Sequence, residues 1–171
     1  MATDRRRRGT QVVELAVVLP LLLFLSLAVS EGAYMIRVHQ VLNNAAREGA
    51  RLAIQQENYN PAAPLTNCAT VGGAFPNAAL CQAVTNYAEN NGITRGTGAS
   101  QCNGAAAAGG LNISINQAFV IPNPGNNVNM NGTQVTVVCP YNLSFLPRLP
   151  GFGVTGTVNL KGTVVLKNLD F

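Results

Sequence analysis

The sequence predicts an α+β protein: a long N-terminal transmembrane helix continues into an amphipathic helix, and a small antiparallel β-sheet domain follows. Three observations carry this reading. Residues 15–29 hold no charge, apolar positions then recur at steps of three and four, and the last third of the chain alternates apolar and polar residues. Composition agrees with it. Charged residues make up 11% of the chain against roughly 25% in an ordinary soluble protein, while 47% are hydrophobic. So much apolar matter with so little charge excludes disorder and requires a non-aqueous environment for part of the chain.

The stretch LAVVLPLLLFLSLAV at residues 15–29 has one polar side chain, Ser26, and Val12 and Val13 extend it upstream across Glu14. At a rise of about 1.5 Å per residue, the segment from Thr10 to Ser30 crosses a hydrocarbon core of about 30 Å. Arg5, Arg6, Arg7 and Arg8 stand just before it. Positive charge stays on the cytoplasmic side, which puts the N-terminus inside and the rest of the chain outside. Pro20 lacks a backbone donor and is expected to bend the helix. Glu14 is costlier. A carboxylate costs about 2.5–3.5 kcal/mol at the membrane centre on insertion scales, less towards an interface, and marks a functional position by default. Solvation at headgroup depth is the plain alternative.

Beyond the span, Tyr34, Val38, Val41, Leu42, Ala45, Ala46, Gly49, Leu52 and Ala53 form an apolar stripe, with Arg37, Gln40, Asn44, Arg47, Glu48 and Arg51 largely between them. Residues 10–56 therefore read as one helix about 70 Å long. Gly49 with Ala45, Ala46, Ala50 and Ala53 makes a small-residue face, suited to close packing on a neighbouring helix or on the chain's own domain. Pro61 and Pro64 end the helix, and residues 65–76 read as a loop carrying Cys68. A shorter helix runs from Pro76 or Asn77 to Asn90, with Gly92 past its end and Ala79, Leu80, Ala83, Val84, Tyr87 and Ala88 on its apolar face. Residues 94–110 are loop. Residues 111–121, 134–143 and 156–169 are strands, with Asn131-Gly132 as a turn before the second and Pro147, Pro150, Gly151 and Gly153 in the connection to the third. The organisation is thus a basic cytoplasmic segment at 1–9, a transmembrane helix at 10–30, its amphipathic extension at 31–57 and an extracytoplasmic domain at 58–171.

The net charge of +4 says little about partners, because four of the eleven basic residues sit in that basic segment beside Asp4. No basic stripe follows and there is no Trp, so nucleic-acid binding has no footing. Cys68, Cys81, Cys102 and Cys139 all follow the apolar run. Four cysteines in a Gly-, Asn- and Pro-rich region favour two disulfides in an oxidising compartment. Three pairings are possible, and the reading leans to Cys68–Cys81 and Cys102–Cys139. No C-x-x-C pair is present and the single histidine, His39, lies far upstream, so no metal site is expected. His39 has no carboxylate orienter nearby in sequence, and residues 104–110 lack the Lys-Ser/Thr ending of a phosphate loop. Neither an enzyme, a cofactor nor a small-molecule substrate is expected.

Two segments resemble a known family. The run from Arg7 to Pro20, RRGTQVVELAVVLP, followed by Leu21, Leu22 and Leu23, is similar to the N-terminal signature of the TadE-like family. Asn43 and then Asn44, Ala45, Ala46, Arg47, Glu48, Gly49, Ala50 and Arg51 resemble its second signature, N-A-A-R-E-G-A-R. The resemblance covers roughly residues 7–54. It implies a pseudopilin or minor pilin of the Tad (Flp) pilus system, with a pilin-like fold, in the bacterial inner membrane with its C-terminal domain in the periplasm. The implied partners are a prepilin peptidase and other Tad pilins and pseudopilins, in pili that serve adhesion or secretion. The resemblance also implies cleavage after Gly9, a new N-terminus at Thr10, and a role in subunit registration for Glu14, five residues after the glycine. Leu15 follows Glu14 where Phe or Tyr is common in Tad pilins. The rival reading is a secretory signal peptide cut after Ser30, releasing a disulfide-bonded binding protein; Glu14 and the uninterrupted helical pattern speak against it.

Overall fold

In the computed structural model, residues 3–55, 65–68, 78–93, 102, 111–123, 125, 129–143 and 157–168 are described, apart from the side chains at 3–10, 65–67 and 78. The apolar run and the amphipathic stripe form one helix, α1 (Thr3–Ala53), about 76 Å long at standard rise. It passes unbroken through Pro20 and through Ser30 and Glu31. From Gln11 to Ser30 every side chain is exposed, Leu27 partly so. From Glu31 onward one face is buried, and there the head is attached.

The head is a four-stranded antiparallel sheet and one helix. β1 (Leu65–Asn67), β2 (Asn112–Ile121), β3 (Met130–Asn142) and β4 (Thr157–Lys167) lie in the order β1-β2-β3-β4. α2 (Ala78–Asn90) stands between β1 and β2 in sequence. Period-two alternation sends Ile113 and Ile115 of β2, and Val135, Val137 and Cys139 of β3, to the inner face. They pack against Val38, Leu42, Ala45, Ala46, Ala50 and Ala53 of α1 and Leu80, Val84 and Ala88 of α2. The other face is polar, and Thr136 and Thr163 meet across it at 3.3 Å. α2 stops where Gly92 turns to φ 89°, with the Ile93 amide on the Ala88 carbonyl at 3.0 Å and the Gly92 amide on Glu89 at 2.9 Å.

Two disulfides cross-link the head. Cys68, whose amide continues the ladder onto the Ile113 carbonyl, is bonded to Cys81 of α2. Cys102 is bonded to Cys139 and forms a bridge with Tyr141.

The structure corrects the sequence reading in four places. Residues 65–67, expected in a loop, pair with Asn116, Ile115 and Ser114 as a short edge strand. Asn131-Gly132 is not a turn but lies inside β3, opposite Val120 and Phe119. A Cβ on Gly132 would stand 2.5 Å from Ile121 Cδ1 and 2.9 Å from the Leu166 carbonyl oxygen, so the glycine serves close packing, not left-handed backbone. The chain reverses upstream, where the Gly125 amide donates to Asn123 Oδ1 at 3.1 Å. Tyr34, placed on the apolar stripe, is 52% exposed, because it sits at the edge of the buried arc. Regular helix ends at Ala53 before a turn at Ile54, short of Gln56, because Gln117 takes the Ala53 carbonyl. Pro61, Pro64, Pro76, Asn77, residues 94–101 and 103–110, Pro147, Pro150, Gly151 and Gly153 lie outside the described residues.

At one glycine the close approach is between backbones. A Cβ on Gly162 of β4 would meet the Leu42 carbonyl carbon at 2.6 Å and the Asn43 nitrogen at 2.8 Å. Neither atom can rotate away. Gly162→Ala is therefore expected to destabilise the head by about 1–3 kcal/mol, lowering its unfolding midpoint. Gly32→Ala, where nothing lies within 4 Å, is expected to leave it unchanged or raise it. Denaturant unfolding followed by circular dichroism checks both.

Candidate functional site

α1 presents two surfaces that differ in kind. Its first part is a sleeve of exposed apolar side chains, among them Val12, Val17, Leu21, Leu22, Phe24 and Leu25. The stretch Gln11–Ala53 is long and apolar enough to cross a membrane, and its most apolar window is wholly uncovered by the rest of the chain. Such a surface is stable only in contact with lipid or with other apolar helices. Glu14 is exposed on this sleeve. Gly9 and Thr10 lie in helical backbone, and their side chains are outside the described residues. Ser26 and Ser30 turn their hydroxyls back onto the carbonyls of Leu23 and Leu27 at 2.8 Å, so neither offers an unsatisfied polar group to a lipid neighbour.

The second part carries the motif at 44–51. Ala45, Ala46, Gly49 and Ala50 are buried, and what covers them is the chain's own head. A Cβ on Gly49 would lie 2.5 Å from Val84 Cγ2 of α2 and 3.3 Å from Val135 Cγ1 of β3. Asn44, Arg47 and Arg51 point outward, and Arg51 donates to Glu48 at 2.9 Å, which raises the Arg51 pKa. The small-residue half of the motif thus builds the protomer, and its polar half faces outward. On the same helix His39 Nδ1 meets Asn43 Nδ2 at 3.2 Å. Among the described residues no group of three or more His, Cys, Asp or Glu is placed to hold a metal ion.

Two polar contacts missed by the sequence reading bracket the attached region. At its membrane end Glu31, 3% exposed, accepts a hydrogen bond from the Tyr141 hydroxyl at 3.0 Å. At its far end Gln117 donates to the Ala53 carbonyl at 3.0 Å, closing a helix terminus that would otherwise leave a buried acceptor open. Period-two alternation continues from Ile113 and Ile115 to put Gln117 on the inner face, and a register shift just beyond it, between Asn116 and Phe119, inserts one extra residue in β2. Asn168 supports it, donating from Nδ2 to the Gln117 carbonyl at 3.0 Å while its Oδ1 accepts from Thr133 at 2.6 Å. Glu31 was legible in part, as the one acid in an otherwise uncharged stretch from Leu15 to Ile36. Nothing local marked Gln117.

Comparison with known proteins bears on α1 alone. The family model described as TadE-like protein matches residues 9–51, which takes in both the exposed sleeve and the buried motif. No curated protein and no solved structure matches the chain.

Burial first, and then the bond to Glu31, push the Tyr141 phenol up to about 12 from an ordinary value of about 10. An unfolded chain ionises this tyrosine near pH 10, whereas the folded one keeps the proton until about 12. Stability that is whole below pH 10 is therefore lost as pH climbs through that interval. Tyr141→Phe is expected to remove the high-pH phenolate step from an absorbance titration. It is also expected to lower stability at neutral pH by about 1.5–3 kcal/mol, the usual cost of losing a hydrogen bond to a carboxylate.

Proposed function

We propose that the chain is a TadE-like minor pilin or pseudopilin, a structural and non-catalytic component of a bacterial Tad pilus. α1 anchors it in the inner membrane by a single pass, with the N-terminus in the cytoplasm and the head in the periplasm. The observation that carries this reading is that the helix matched to the TadE-like family is exposed and apolar over its first part and bound to a folded head over its second. That is the layout of a subunit whose anchor also serves as its stalk. The two disulfides support an oxidising compartment for the head, and the arginines before the span support an inward N-terminus.

On this reading a prepilin peptidase cuts between Gly9 and Thr10. The cut leaves an ammonium at Thr10 four residues from Glu14, one helical turn away. A carboxylate exposed on an otherwise apolar sleeve then has a function, because it neutralises that ammonium in a neighbouring subunit and sets the register between helices. Removing one partner of such a pair in a water-poor setting costs about 3–5 kcal/mol, enough to gate assembly.

Two measurements test the proposal. Terminal sequencing of the mature protein is expected to read from Thr10; a start at Glu31 would make it a secreted protein released by a signal peptidase, and a start at Met1 or Ala2 a plain signal anchor. Glu14→Gln is expected to insert into the membrane at the normal level and yet to be depleted from sheared pili. Undiminished incorporation of that variant would remove Glu14 from the assembly step.

A further inference from the structure

We propose that the lipid-facing surface of α1 ends at Ile36, not at Ser30, so that the foot of the head, with the Glu31–Tyr141 contact, dips below the outer edge of the hydrocarbon core. The inference rests on the membrane-anchor reading and adds to it the depth of the head.

Length raises the question. The uncharged run from Leu15 to Ser30 is only about 24 Å long, short of a hydrocarbon core of about 30 Å. To reach across, the span must take in a carboxylate, either Glu14 on one side or Glu31 on the other. The structure treats the two differently. Glu14 is exposed on the helix surface, whereas Glu31 is turned into the head and bonded to Tyr141. Glu31 is also the only charge from Leu15 to Ile36. That segment measures about 33 Å along the helix, or about 31 Å at a common tilt of about 20°. With its one carboxylate shielded by the head, it spans the core without presenting a charge to lipid.

The face of α1 turned away from the head agrees. Val29, Ala33 and Ile36 follow one another at steps of four and three, all exposed. Ile36 is 62% exposed and Val29 65%, close to Leu21 at 66% deep in the sleeve. Further along this face come Gln40, Asn44, Arg47 and Arg51, also exposed. The chemistry changes once, between Ile36 and Arg37. Tyr34 lies just below the change with its ring half exposed, as aromatic side chains stand at a membrane interface. The apolar surface is continuous with the sleeve, so the occupant is lipid. Glu31 lies five residues nearer the bilayer centre than Ile36, about 7.5 Å along the axis. Its protein cover, Tyr141 among it, therefore reaches below the outer edge of the hydrocarbon core, and Glu14 falls at the inner rim of the membrane beside the leader arginines.

The chain has no Trp, so single tryptophans report depth cleanly. Leu22→Trp, Ile36→Trp and Gln40→Trp, each in the full-length chain with its disulfides intact, are reconstituted into phosphatidylcholine vesicles. Acyl chains brominated near the glycerol end act as quencher. Blue-shifted emission from Ile36→Trp that is strongly quenched, with water-like and weakly quenched emission from Gln40→Trp, is the expected result. Water-like emission at Ile36→Trp overturns the inference while Leu22→Trp, blue-shifted and inaccessible to aqueous iodide, keeps the anchor. Blue-shifted but unquenched emission at Ile36→Trp also overturns it, because protein and not lipid then covers that face. Water-like emission at Leu22→Trp brings down the anchor and the inference together.

Discussion

Everything about the position of the head depends on how closely a helix can approach a strand. At Leu42 and Gly162 the backbones of α1 and β4 come together with no side chain between them. Around this point α1 offers alanines and Gly49, which lets the sheet and α2 lie close along the helix. Larger residues would hold the layers further apart, and the interdigitation of Leu42, Val84, Val135 and Val137 would be lost. Close packing of this kind tolerates neither cavities nor extra volume, so a single methyl is felt. The head is small and has few large apolar side chains to bury. Its attachment therefore depends on the fit of many small ones.

The apolar contact fixes distance but leaves sliding and rotation to be settled, and polar groups settle them. Glu31 with Tyr141 at one end, and Gln117 with the Ala53 carbonyl at the other, each have one geometry that satisfies a buried group. A shift of the head by one helical turn would strand both. Unsatisfied buried groups cost about 1–3 kcal/mol apiece, more when charged, so these contacts select one register out of several that apolar packing alone would accept. The disulfides act elsewhere. Cys68–Cys81 ties the edge strand to α2, and Cys102–Cys139 fixes Cys102, which bridges to Tyr141, on β3.

Much of this was legible in the amino-acid order because it is periodic. The apolar run, the stripe after it and the alternating strands each repeat over ten residues or more, and each became the element expected. The motif at 44–51 also announced close packing, although the residues could not say whether the partner was another helix or the chain's own head. What escaped was non-periodic and long-range. Asn131-Gly132 has turn chemistry, but the crowding by Ile121 and Leu166 that uses its missing Cβ comes from distant strands. β1 is too short to show a period. Gln117 is one polar residue at an inward strand position until the end of α1 is laid against it. Gly162 reads as a weakness in a strand until a helix is laid across it.

The run of contacts from Glu31 to Ala53 also decides how the protomer answers to force. A pull on the head along the direction of α1 loads these contacts side by side, in shear, so all must yield within the same small displacement. A pull across the helix would instead open them one after another, as a zipper opens. The molecule is therefore stiff in tension along its stalk and weaker to a sideways peel, an anisotropy built from alanines and two hydrogen bonds.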